Sequence, residues 1–453
     1  MIRSAVCALL ALGVFGVAMP TARSEPIVAA PASAAPIVGA PAPVARPISQ
    51  LEAADLLIKD GQAAAAIKIL DPMVKRAAPS RDALFLRAMA AAQLKDYRTA
   101  IRLLRRLIIL EPKALRVRLE LARAFFEAKD FDNAQRQFER AAATHPPSEV
   151  YRNIEAYLGA IREARIFDYH LQISAAPDTN FNAGPAIDYI DLFGLPFSLS
   201  KDTQKHSGTG LSVSAGMIYT PRLSASTKML AALDLSADEY GAQKAYDDEN
   251  VSVSLGVQRL WRSLEGAVTA NTFRRWYGPT ELNSGVGAQA QLTWFVSPQV
   301  MVSQSLSLTD VNFRKRADQS GLVESASTSL IITLSPEAWV RLGATPSRQW
   351  AGSSAFADTS MMWQLTYGRD LPFGLSATVQ AQHARSVYTG IFGAFGRARR
   401  DRYDDAQLTL LNRHIELAGF TPRVSYSHGR NASNIGLYAF SRDRYELGVT
   451  RVY

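Results

Sequence analysis

Two periods of hydrophobic and polar positions divide this chain. Across residues 49–166 apolar residues recur at helical spacing, and beyond Asp168 they alternate one by one. The first region also repeats itself. Ala54, Ala88 and Ala122 are 34 residues apart, as are Ala66, Ala100 and Ala134, and as are Leu70, Leu104 and Phe138. The units "RDALFLRAMAAAQLKDYRTAIRLLRRLIILEPKA" and "LRVRLELARAFFEAKDFDNAQRQFERAAATHPPS" align without gaps, each with an aromatic (Tyr97, Phe131) before the second alanine and a proline (Pro112, Pro146) near its end. Two helices per unit, small residues where they cross and a proline stopping the second helix predict tetratricopeptide repeats. "SEVYRNIEAYLGAIREAR" predicts an amphipathic helix after the third unit.

The second region predicts strands. "ENVSVSLGVQRLW" sets Val251, Val253, Leu255 and Val257 against Ser252, Ser254, Gly256 and Gln258. About fourteen such segments follow one another, near 168–177, 207–219, 224–236, 249–260, 264–276, 282–295, 299–313, 322–335, 338–350, 357–369, 374–388, 402–413, 420–430 and 441–453. Their connections are expected to alternate between short ("RS", "SP", "PE") and long ("DEYGAQKAYDDE", "TGIFGAFGRARRD"). An even number of half-apolar strands with that alternation is the pattern of an antiparallel transmembrane β-barrel. The final strand, "RDRYELGVTRVY", then faces lipid with Tyr445, Leu447 and Val449 and ends on Tyr453, an aromatic end that marks it for barrel closure and insertion. Aromatics near strand ends, among them Tyr219, Trp261, Phe295, Trp339, Trp350, Tyr388 and Tyr403, are expected to form interfacial girdles.

The expected fold class is therefore an α + β membrane protein: an N-terminal tetratricopeptide α-solenoid followed by a barrel of about fourteen strands. The ends of the chain add to this. Residues 1–24 read as a secretory signal, with Arg3 before an apolar run and a small-residue cleavage site. Residues 25–48 are an Ala/Pro-rich linker, 49–166 the repeat domain and 167–453 the barrel. Both domains are placed at the Gram-negative outer membrane, with the repeats in the periplasm. The single cysteine, Cys7, lies in the signal segment, so no thiol chemistry is expected of the mature protein.

Composition changes the picture little. Hydrophobic residues make up 47% and charged residues 20%, both near globular averages. The net charge of +9 is scattered, which argues against a nucleic-acid partner; acidic lipid head groups, lipopolysaccharide or a merely soluble surface all fit it. The six histidines (His145, His170, His206, His383, His414 and His428) have no zinc-ligand spacing. No phosphate loop or nucleophile elbow is present, so neither an enzyme, a metal nor a cofactor is expected. The cluster Asp247, Asp248 and Glu249 fits a calcium site or a solvated loop. Lys228, Asp234, Glu324, Arg369, Arg413, Arg423 and Glu446 are read as lumenal, either as ion-pair networks or as a selective conduction path.

Phe85, Met89, Leu119, Arg123 and Phe126 project, by the geometry of the repeat, toward a concave groove of the kind that grips another polypeptide; filling the interface between repeats is the other reading.

Two stretches go further. "YHLQISAAPDTNFNAG" at the first strand and "GFTPRVSYSHGRNASNIGLYAFSRDRYELGVTR" at the last two, behind helical repeats, resemble the surface lipoprotein assembly modulator (Slam) family of type XI secretion. The resemblance implies a periplasmic repeat domain working with a 14-stranded barrel that moves particular client proteins, lipidated or soluble, across the outer membrane. It implies no catalytic residues. Asp178, Asn180 and Asn182 match the family motif after the first strand, as a structural turn or as a client contact. The function expected is a translocon that recognises an exported client through its repeats and delivers it through its barrel, with outer-membrane lipid, lipopolysaccharide and the barrel insertion machinery as further partners. An exopolysaccharide export pore on a tetratricopeptide scaffold, or a simple porin-like channel, is the other expectation.

Overall fold

The computed structural model describes residues 48–452 apart from Ala77, Phe193, Gly194, His414, Glu416 and Ala418. The expected signal segment, nearly all of the linker and Tyr453 lie outside the described residues.

Among the described residues seven α-helices come first: α1 (Gln50–Lys59), α2 (Ala63–Val74), α3 (Arg81–Gln93), α4 (Tyr97–Leu110), α5 (Leu115–Glu127), α6 (Phe131–Ala142) and α7 (Ser148–Ala164). Ser49, Ser80, Asp96 and Asp130 cap α1, α3, α4 and α6, each accepting from a backbone N–H three residues on. The repeat alanines 54, 66, 88, 100, 122 and 134 are all 0% exposed, which is what close helix crossings demand. Leu70, Leu104 and Phe138 are buried with them. The turn inside each unit also repeats: Gly61, Lys95 and Lys129, again 34 apart, have φ of 78°, 62° and 61°.

Sixteen strands follow: β1 (Phe167–Asp178), β2 (Tyr189–Leu192), β3 (Leu195–Ser198), β4 (Gly208–Tyr219), β5 (Thr227–Glu239), β6 (Asp248–Leu260), β7 (Leu264–Tyr277), β8 (Thr280–Ser297), β9 (Val300–Phe313), β10 (Gly321–Ser335), β11 (Ala338–Ala351), β12 (Asp358–Asp370), β13 (Leu375–Phe392), β14 (Arg397–Asn412), β15 (Thr421–Ser433) and β16 (Phe440–Val452). β2 and β3 form a separate hairpin, and the other fourteen close an antiparallel barrel in which β1 pairs with both β4 and β16. Every strand segment expected from alternation is present. Val253, Leu255, Val257, Val268, Val286, Leu365 and Leu447 are outward and exposed, while the opposite parity lines the inside.

Some expectations change. The long loop expected at "TGIFGAFGRARRD" is mostly strand, since β13 runs to Phe392 and β14 starts at Arg397. Tyr219, Trp261 and Trp350 are outward and exposed, as girdle residues should be. Phe295 and Trp339 instead line the inside of the short-turn mouth, and Tyr388 and Tyr403 face inward, because their parity opposes that of the lipid-facing positions. Parity likewise corrects two charges read as lumenal. Glu324 shares a face with Leu322 and Leu334, and Arg369 with Leu365 and Tyr367, so both point outward. Each lies near a strand end, where an outward charge reaches head groups and water rather than hydrocarbon.

Candidate functional site

Two arrangements stand out: the junction between the repeats and the short-turn mouth of the barrel, and the seam where the first and last strands meet.

The junction is built by α6 and α7. Ala164 ends α7 and β1 begins at Phe167, so the last helix stops at the barrel rim. Its terminal carbonyls have no partner within the helix. Lys228 Nζ of β5 donates to the carbonyl oxygens of Arg162 (2.7 Å) and Arg165 (2.5 Å), and Thr220 Oγ1 donates to that of Arg165 (3.3 Å). A buried cation at a helix C-terminus is favourable for the dipole as well as the hydrogen bonds. In the β8–β9 turn, Gln299 accepts from Tyr151 Oη (2.8 Å) and donates to the Ala142 carbonyl (2.6 Å). The Arg162 guanidinium lies 4.1 Å from the centre of the Phe295 ring. Ion pairs complete the contact: Arg140 with Asp370, Arg222 with Glu163 (3.2 Å), and Arg165 with both Asp132 and Asp168. Burial pushes the Arg140 and Arg413 guanidiniums down to about 10. Between α6–α7 and the turns lies a cavity of about 1760 Å³.

On the repeats, Arg123 and Phe126 meet around Tyr157 of α7. Arg123 Nε donates to Tyr157 Oη (3.0 Å), and Phe126 packs edge-on to the same ring at 5.4 Å. Phe85, Leu119 and Phe126 are half-buried against the repeat core, with the Arg116 guanidinium 4.9 Å from the Phe85 ring. Met89 is half-buried and Arg123 is exposed. Tyr157 was missed from the sequence, although it lies 34 residues beyond Arg123 and so continues the Met89–Arg123 series.

At the seam, β1 and β16 pair from His170–Val452 to Ala175–Leu447, skip Ala176 and Pro177, and resume at Asp178–Arg444. Proline has no N–H to give the ladder. Beyond it the two strands are stapled by the motif expected from the family resemblance. Asp178, with a fully buried side chain, accepts from Arg442 Nε (2.7 Å) and from the Asn180 N–H (2.8 Å). Thr179 and Asp443 exchange backbone and side-chain bonds. Asn180, 1% exposed, donates to the carbonyls of Gly184 (2.8 Å) and Ser441 (3.0 Å) and accepts from the Gly184 N–H. Asn182 holds Gln204 and His206. Phe181, also unmarked by the sequence, stacks on Tyr240 with ring centres 4.2 Å apart. Tyr445 and Leu447 face outward along this seam, 47% and 54% exposed.

Inside, Arg444 reaches across β1 and β4 to Asp238 in a two-pronged pair at 2.8 Å, and Glu446 pairs with Arg423. Lys228, Arg413, Arg423 and Glu446 thus have inward partners, and Asp234 shares their face. Asp247 accepts from the Tyr240 N–H and Asp248 pairs with Arg275, so those two of the acidic trio serve the loop and strand around them. No group of potential metal ligands occurs among the described residues.

The family description "Surface lipoprotein assembly modifier" matches residues 168–453, more than half of the sequence. The chain belongs to the surface lipoprotein assembly modifier family. A tetratricopeptide-repeat family matches residues 91–156. Surface lipoprotein assembly modifier 1 of Neisseria meningitidis serogroup B is 24% identical over 84% of this chain and 78% of its own length. The surface lipoprotein assembly modifier of Moraxella catarrhalis is 26% identical over 77% and 69%, and modifier 1 of Haemophilus influenzae 21% over 86% and 81%. These relatives are named as assembly modifiers, not as enzymes. Among solved structures, the outer membrane channel DcaP of Acinetobacter baumannii matches 63% of this chain and 96% of its own at 9% identity, with a TM-score of 0.39. Family and fold together make this member of the family an outer-membrane β-barrel protein.

Proposed function

We propose that this protein is a client-specific translocon of the outer membrane. Its repeats face the periplasm, engage an exported protein through the groove of Phe85, Met89, Leu119, Arg123 and Phe126, and pass it to the barrel for delivery to the surface. The client is a surface lipoprotein or a soluble secreted protein. The observation that carries this reading is the direct seating of α6 and α7 on the short-turn mouth, anchored by Lys228. A repeat domain held there meets anything entering the barrel from that side. A simple diffusion pore has no use for such a domain. Asp178, Asn180 and Asn182 hold the far end of the seam, and Tyr445, Leu447 and Val449 lie on the closing strand that, with the aromatic Tyr453 after it in the sequence, is read by the insertion machinery. Outer-membrane lipid and lipopolysaccharide surround the barrel. No nucleotide is available in the periplasm, so client binding or folding outside must drive the transfer.

The test is co-expression with the proteins encoded beside it, followed by protease shaving of intact cells. A neighbour that becomes protease-accessible only with this protein present is the expected result. If no neighbour depends on it while a surface glycan disappears in its absence, the chain is a glycan exporter instead.

A further inference from the structure

The outward face of the barrel is not uniform where its apolar band ends on the loop side. On β5, β6, β9 and β10 the outward residues there are Glu239, Glu249, Asp310 and Glu324, interrupted by the outward Arg274 on β7 and by Arg348 on β11, which faces Glu324 across the ladder. On β13–β15 they are mostly basic. Above Val379, Leu408, Val424 and Tyr426, all outward and exposed, the same faces carry the exposed residues Arg385, Arg400, Arg402 and Arg430. Arg400 lies in the extension of β14, whereas Arg385, Arg402 and Arg430 lie within the strands expected from the sequence, with Val387 and Ile391 outward beyond Arg385.

Two carboxylates share the patch, and both are occupied. Asp404 accepts from His383 (2.6 Å) and Arg402 (2.9 Å); Asp443 accepts from His428 and Tyr426, each at 2.8 Å. Arg385, Arg400 and Arg430 have no anionic partner among the described residues. Arg385 also lies directly across the ladder from Arg402, and Arg430 across from Asp404. Like charges facing each other across strands repel, and a phosphate between them would turn that repulsion into charge-assisted hydrogen bonds. Charges at this height cost little against lipid because they reach the head-group layer.

We propose that this face of β13–β15 binds the phosphorylated head group of the outer-leaflet glycolipid, lipid A, with the unpaired Arg385 and Arg430 as its phosphate ligands and Arg402, shared with Asp404, beside them. The proposal rests on the orientation given under Proposed function, which puts the loop end outside. Lipid A is favoured over a phospholipid because it offers two phosphates on one rigid head group, matching arginines spread over three adjacent strands.

The full chain in neutral detergent, titrated with bis-phosphorylated lipid A, with lipid A stripped of both phosphates, or with phosphatidylglycerol, decides the matter by native mass spectrometry. The wild type should retain bis-phosphorylated lipid A and not the stripped form. R385Q/R430Q should weaken that binding by about tenfold or more, and E324Q on β10, outside this face, should leave it unchanged. If the double variant does not fold, R385Q and R430Q singly should each show a smaller fall. Undiminished binding in the variants overturns the site. Equal binding of phosphatidylglycerol overturns lipid A as its occupant. Cell fractionation reads the membrane placement separately, so a chain that fractionates with the outer membrane yet ignores lipid A sinks only this site.

Discussion

Lys228 Nζ lies 2.5 Å from the carbonyl oxygen of Arg165, joining a barrel strand to the end of the last repeat helix. Lys228 is 3% exposed, and its removal leaves the Arg162 carbonyl without this donor and the Arg165 carbonyl with Thr220 alone. Each unsatisfied buried acceptor costs about 1–3 kcal/mol. K228M keeps the stem and deletes the donor. In detergent, limited proteolysis should release the helical region of K228M several-fold faster than that of the wild type, while the barrel keeps its compact migration on unheated gels. An unchanged release rate would mean that the ion pairs and Gln299 alone hold the junction.

Asp178 makes a second, sharper prediction. Its buried carboxylate holds Arg442, whose side chain keeps 29% exposure. Breaking a buried pair costs about 3–5 kcal/mol, and the water still reaching Arg442 lowers this to about 2–3 kcal/mol. D178N should therefore lower the temperature at which the folded gel band converts to the unfolded one by several degrees. N182A, which disturbs only the Gln204–His206 loop, should cost about 1 kcal/mol. A D178N shift no larger than that of N182A would remove the motif from barrel closure.

The repeat turns offer a gain rather than a loss. Lys95 and Lys129 sit at φ of 62° and 61°, where the first unit has Gly61. A left-handed L-residue is strained by roughly 1–2 kcal/mol, and glycine relieves this at an entropic cost of roughly 0.5–1 kcal/mol. K95G and K129G should each stabilise the repeats by up to about 1 kcal/mol, seen as a higher midpoint for loss of helical circular dichroism. A lower midpoint in both would show that the lysine side chains contribute more than their backbone strain costs.

Much of the fold was legible because both of its periods are local. The alanines at 54, 88 and 122 announce close helix crossings, and Val251 through Val257 announce a two-faced strand. Charge was less legible. Glu324 and Arg369 were assigned inward on chemistry alone, although their parity with Leu322 and Leu365 points outward. Near a strand end, head groups and lumen both accept a charge, so chemistry does not discriminate and parity must. The junction was not legible at all. Nothing within one repeat or one strand says that Lys228 will reach the end of α7, since that contact depends on how the closed barrel presents its rim to the helices. Tyr157 lies between these cases: its 34-residue spacing from Arg123 was there to be read.

The closing strand yields the last prediction. Leu447 pairs with Ala175 across the seam, and with 54% of its surface exposed it faces outward between Tyr445 and Val449. In a soluble sheet an arginine there would extend into water at almost no cost. In a bilayer the same change costs about 2–4 kcal/mol near the midplane. L447R should therefore destabilise the barrel in phospholipid bilayers, measured as a lower urea midpoint, with a much smaller effect in a short-chain detergent that lets the guanidinium reach water. E446Q, on the inward face, should behave alike in both environments, because its Arg423 and Arg444 partners are lumenal whichever surrounds the barrel. An L447R penalty equal in bilayer and detergent would place this strand away from lipid.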